Sequence, residues 1–178
     1  MNTLHRAQSH QKRNSIQYLE LPKFWRPKLE PDAQFQAKLT HWDLISRFTD
    51  GSANAEDLWD WMETGFTYSQ MMRLLTEEEA VPFSDEALTA ITEQLLSYEG
   101  VAARFSRTGR VGFNSQELLT ARAAASVMDG LIEMDRHGIA TRAALWSAQE
   151  MVKVRAAHAK AINGTARRML EQSRRVVA

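Results

Sequence analysis

The sequence predicts an all-α protein: an irregular multi-helix bundle around a long central helix at about residues 115–137, preceded by an extended, proline-containing N-terminal strap. Three observations carry that expectation. Apolar residues recur at three- and four-residue steps from Phe35 to Ile162. No segment alternates apolar and polar residues as a half-buried strand would, so a sheet has nothing to be built from. The 178 residues, 44% hydrophobic and 25% charged, are ordinary usage for one domain with a core, and no repeat divides them.

Residues 1–30 read as a flexible basic arm and strap, and residues 31–178 as the helical bundle with a basic C-terminal helix. The arm to about Gln17 is polar, without sustained periodicity. Pro22, Pro27 and Pro31 then punctuate LELPKFWRPKLEP, and each biases its predecessor toward extended backbone. Phe24 and Trp25 lie in this strap and must be buried somewhere or offered to a partner.

The first helix opens at Pro31 or Asp32, carries Phe35, Leu39, Trp42, Ile45 and Phe48 as its inward face, and stops at Asp50-Gly51-Ser52. Asn54 caps a short second helix with Leu58, Trp61 and Met62 on one face, ending at Gly65. A third helix starts at Thr67 or Ser69, buries Met71, Leu74 and Leu75, and fades at Glu77–Glu79 before Pro82. Ser84 begins a fourth with Leu88, Ile91, Leu95 and Leu96 inward, interrupted at Gly100. Ser115 caps the long helix, in which Leu118, Ala121, Ala125, Met128 and Ile132 lie beside Ala124, Val127, Leu131 and Met134. Thr141 caps the next, with Leu145, Ala148, Val152, Ala156, Ala159 and Ile162 inward as far as Asn163-Gly164-Thr165.

Composition narrows the chemistry. With no cysteine, disulfides, thiolate metal sites and a cysteine nucleophile are excluded. No run approaches the ~20 apolar residues of a spanning helix, and the first thirty residues lack the apolar centre of a secretory signal. The expectation is a cytoplasmic protein with no membrane partner. Net charge is zero but unevenly placed, at +4 over residues 1–30, −10 over 31–150 and +6 over 151–178. Such ends suit a polyanion partner or a fold in which they return to the acidic middle.

No catalytic constellation emerges. The histidines, His5, His10, His41, His137 and His158, do not cluster. Asp129, Glu133 and His137 share one helix face, but a straight row of that length spans about 12 Å and cannot hold one ion, so it reads as a solvated face. No serine lies in a Gly-x-Ser-x-Gly turn, and GRVG at 109–112 is only a Gly-x-x-Gly. No enzyme, cofactor or metal is expected.

Two surfaces remain. The segment DWMETGFTYSQMMRLL, Asp60 to Leu75, resembles the helix-turn-helix segment of bacterial DNA-binding proteins, with Gly65 in the turn and Phe66 buried behind it. That resemblance implies that Tyr68, Ser69, Gln70 and Arg73 face DNA, and Arg104, Arg107 and Arg110 supply a further basic face if helical geometry persists there. Trp61, four residues before the glycine, departs from the small residue usual where two such helices cross.

The other surface is aromatic. Trp59 and Trp61 point about 200° apart on one helix and cannot share a core face, so one needs a neighbour in the strap, a second protomer or a foreign protein. The expected function is non-catalytic binding or regulation through a macromolecular partner. A protein engaged through Phe24, Trp25, Trp59, Trp61 and Tyr68 is preferred, homo-oligomerisation is compatible, and DNA-binding transcriptional regulation is the alternative.

Overall fold

The computed structural model describes residues 28–176, with side chains for residues 28–160. Five helices run through them: α1 (Pro31–Asp50), α2 (Ala55–Glu79), α3 (Asp85–Thr108), α4 (Ser115–Glu133) and α5 (Ile139–Val176). No strand occurs among the described residues, and no helix there is long and apolar enough to cross a membrane. The all-α expectation therefore holds. Phe24 and Trp25 lie outside the described residues.

Helix ends follow local chemistry. Pro31 opens α1, and Gly51 closes it at φ 80°, a left-handed position where a side chain is strained. Asn54 caps α2 through a capping box: the Asn54 side chain accepts from the Asp57 N–H while the Asp57 carboxylate accepts from the Asn54 backbone N–H. The other oxygen of that buried carboxylate binds the Arg47 guanidinium, which ties α1 to α2 across their short connection. Ser84 caps α3, and Gly109 ends it at φ 69°. At α4 the cap is Asn114 rather than Ser115, because the Asn114 side chain reaches the Glu117 N–H and Glu117 reciprocates.

Three breaks expected from the sequence are absent. Helix α2 is unbroken through Gly65. Its α-carbon lies where α3 crosses, and the missing side chain makes room for Gln94 and Leu95. Helix α3 continues through Gly100, beside which the Glu117 carboxylate of α4 lies. The backbone of α5 likewise stays helical through Asn163, Gly164 and Thr165. A lone glycine costs a long helix about 1 kcal/mol, too little to end it.

The predicted central helix stops at Glu133, and residues 134–138 turn the chain, with His137 at φ 51° and Gly138 at φ 67°. Asp135, buried in this turn, organises it. One carboxylate oxygen accepts the Ala140 N–H at 2.8 Å and so caps α5 ahead of Thr141, and the other accepts the Leu29 N–H at 2.7 Å.

Two apolar clusters form the core. One gathers Tyr68, Met71, Met72, Leu75, Ile91, Met128, Leu131 and Ile139, and the other Leu44, Phe48, Leu58, Trp61, Val101, Ala121 and Ala125. Helices α2, α3 and α4 thread both. Ala121, Ala124 and Ala125 are fully buried, and their small side chains let neighbouring helices approach α4 closely. The expected inward faces are partly redrawn. Phe35, Leu39 and Trp42 lie on the outside of α1, Leu88 and Leu96 on the outside of α3, and Val152 on the outside of α5. The buried line of α5 is instead Ile139, Ala143, Ser147 and Met151.

Candidate functional site

The residues read as a DNA-facing set do not lie on the second helix of a helix-turn-helix. With α2 continuous, there is no turn at Gly65 to separate two helices. Tyr68 and Gln70 are buried, and Ser69 is half-buried. Arg73 is exposed, yet its Nε donates to Gln70 at 3.0 Å and its Nη1 to Glu77 at 3.1 Å, so its charge is matched along its own helix. Arg104 is held by the Gly112 carbonyl and the Glu117 carboxylate. Arg107 is exposed near the end of α3, whereas Arg110 follows the left-handed Gly109 and leaves the helical face that the spacing projected.

The aromatic quarter is mostly core. Trp61 has no exposed surface, donates its indole N–H to Ser97 at 3.1 Å, and packs against Phe48 and Phe113. Trp59 does point elsewhere, as its position about 200° from Trp61 requires. Its neighbours belong to the same chain: Tyr98 of α3, and His158 and the Arg155 guanidinium of α5, which lies 5.2 Å from the ring centroid. The demand for a partner at Trp59 is thus met within the bundle.

Large apolar surface appears instead on α1. Phe35 is 60% exposed, Leu39 45% and Trp42 37%, at steps of four and three residues along one line. Asp32, Asp43 and Asp50, eleven and seven residues apart, form an edge beside that line within about 20° of one another around the axis. The indole N–H of Trp42 donates to Asp129 at 3.1 Å, which fixes this ring from the α4 side.

The opposite side of α1 faces α2 across a cleft of about 330 Å³ lined by Ala37, Thr40, His41, Leu44 and Arg47 from α1 and Asp60, Glu63, Thr64, Thr67 and Tyr68 from α2. No family model, curated protein or solved structure matches the chain. Its chemistry is therefore read from these residues alone.

Two of them belong to a buried relay. His41 Nε2 lies 2.9 Å from an Asp129 carboxylate oxygen, and its Nδ1 lies 3.3 Å from the Tyr68 hydroxyl. A carboxylate only accepts, so Nε2 carries the proton and Nδ1 receives the Tyr68 O–H. Burial lowers the His41 pKa against the opposing pull of Asp129, which keeps this neutral form. Burial also raises the Tyr68 pKa and keeps its hydroxyl protonated.

Sequence reasoning missed this relay because His41 and Asp129 are 88 positions apart and nothing local links them. It also read Asp129, Glu133 and His137 as a solvated face. Asp129 instead receives His41 and Trp42, Glu133 receives Lys38, and His137 lies 3.9 Å from Glu79. Among the described residues no group of three or more acids and histidines is arranged to hold a metal ion.

Proposed function

We propose that this protein is a non-catalytic helical binding protein, and that it engages a basic amphipathic helix of another protein through the outer face of α1. The observation that supports this is the exposed line of Phe35, Leu39 and Trp42. An apolar row at helical spacing is what a partner helix reads at i, i+4 and i+7. The acidic edge of Asp32, Asp43 and Asp50 selects lysine or arginine on the flank of that helix. It also disfavours a second copy of this chain, because an isologous contact would bring acids against acids.

The test is capture from native lysate with the wild-type chain, Leu39→Glu and Asp43→Lys side by side. Identification of the captured protein follows, then competition by a synthetic peptide of its basic helix. Both positions are exposed, so Leu39→Glu is expected to shift Tm by no more than about a degree or two, and Asp43→Lys, which gives up an i,i+4 ion pair with Arg47, by about 2–4 degrees. Leu39→Glu abolishes capture on this reading, and Asp43→Lys weakens it. Equal capture by all three chains, or a captured protein that no basic helical peptide displaces, would remove the proposal.

A further inference from the structure

We infer that the cleft between α1 and α2 is a second, independent binding site, for a primary ammonium or guanidinium group carried on a short alkyl chain. It lies roughly half a turn around α1 from the Phe35 row, so its occupant is not the helix proposed above. A volume of about 330 Å³ suits a small ligand or a single side chain.

The argument rests on where the protons point. The Tyr68 hydroxyl is spent on His41, and the His41 Nε2–H on Asp129. Thr64 donates its hydroxyl to the Asp60 carbonyl at 2.7 Å, and Thr67 to the Glu63 carbonyl at 2.9 Å. The cation in the lining, Arg47, is engaged by Asp43 and Asp57. What these residues leave for a ligand is therefore lone pairs and negative charge.

The charge comes from Asp60 and Glu63, one helical turn apart on α2. Neither side chain has a hydrogen bond or ion pair among the described residues. The Arg155 charge reaches both, but its hydrogen bond goes to Glu56. Partial burial, reinforced by neighbouring acids, holds both carboxyl groups above their ordinary pKa values. A donor cation would relieve that cost, and Ala37 and Leu44 offer apolar contact for its alkyl chain. An anion of the same size meets the repulsion of both carboxylates, and the cation beside them is already engaged by Asp43 and Asp57.

Isothermal titration tests this with n-butylguanidinium, n-butylammonium and butyrate as free probes and a blocked Gly-Arg-Gly peptide as a side-chain probe. Both free cations should bind at concentrations on the order of 10 mM or below, and butyrate should not. Asp60→Asn and Glu63→Gln should each weaken cation binding about tenfold without lowering Tm, since each replaces an unpaired carboxylate. Binding should also fade on acidification as the two carboxyl groups protonate. If the peptide binds at least as well as n-butylguanidinium, the site takes a partner's side chain; if it binds less well, the site takes a free small molecule. Absence of binding by either free cation, equal binding of butyrate, or unchanged affinity in both variants would overturn the assignment. None of these results depends on Leu39.

Discussion

His41 shows at the residue scale how burial and hydrogen bonding together set a charge state. It is 1% exposed, accepts a hydrogen bond from Tyr68 and donates one to Asp129, and burial holds its pKa below 6.5. The unfolded chain, with histidine near 6.5, therefore binds more protons than the folded chain just below that pH. The stability that His41 contributes is complete above about pH 6.5 and is lost as pH falls toward the lowered folded-state value. Asp60 and Glu63 act in the opposite sense, because their raised pKa values let the folded state take up protons first. Comparing denaturation midpoints between about pH 7.5 and 5.5 in the wild type and His41→Gln isolates the histidine. The wild type should lose more stability on acidification than the variant. Parallel profiles would show that His41 does not titrate on unfolding.

At the scale of the element, α2 is set by a glycine that does not break it. A Cβ at Gly65 would meet Gln94 Oε1 at 2.1 Å and Leu95 Cγ at 2.8 Å. Gln94 cannot simply swing aside, because it is fully buried and its Nε2 is bonded to the Trp61 carbonyl at 2.9 Å. Alanine would gain about 1 kcal/mol of helix propensity at this position and lose about 1–3 kcal/mol to overpacking. Gly65→Ala is expected to lower the urea midpoint. Amide hydrogen exchange provides a second check: the N–H groups of residues 65–69 should be protected like those of residues 72–75. A fast-exchanging island at Gly65 would restore the turn and with it the helix-turn-helix reading.

On the scale of the whole molecule, α2, α3 and α4 pass through both apolar clusters, so neither half can lose its packing alone. Trp61→Ala should cost about 3–5 kcal/mol, and ellipticity and tryptophan fluorescence should follow one coincident transition. Trp59→Ala removes a half-buried ring and its contact with Arg155, worth about 0.5–1.5 kcal/mol beyond lost area, and should cost clearly less. Two separated transitions for Trp61→Ala would divide the bundle at the cluster boundary. The uneven charge finds part of its explanation here as well. Arg155, from the basic C-terminal stretch, bonds Glu56 at the acidic start of α2.

The helical class, the caps at Asn54 and Ser84, the stop at Gly51 and the break before Pro82 were all legible by themselves, because backbone groups within a few residues of one another determine them. Buried stripes were legible only where one helix face was apolar. On α1 both faces are, and only the positions of α2 and α4 decided that His41, Leu44 and Phe48 go inward while Phe35 and Leu39 stay outside. Gly65 and Gly100 show the same limit, since local propensity weighs a glycine without knowing that a neighbouring helix fills its missing side chain. The cleft and its relay were beyond local reading altogether. Asp129 reaches His41 across 88 positions, and such a pair is created by packing, when burial leaves a polar group no partner but the one the fold supplies.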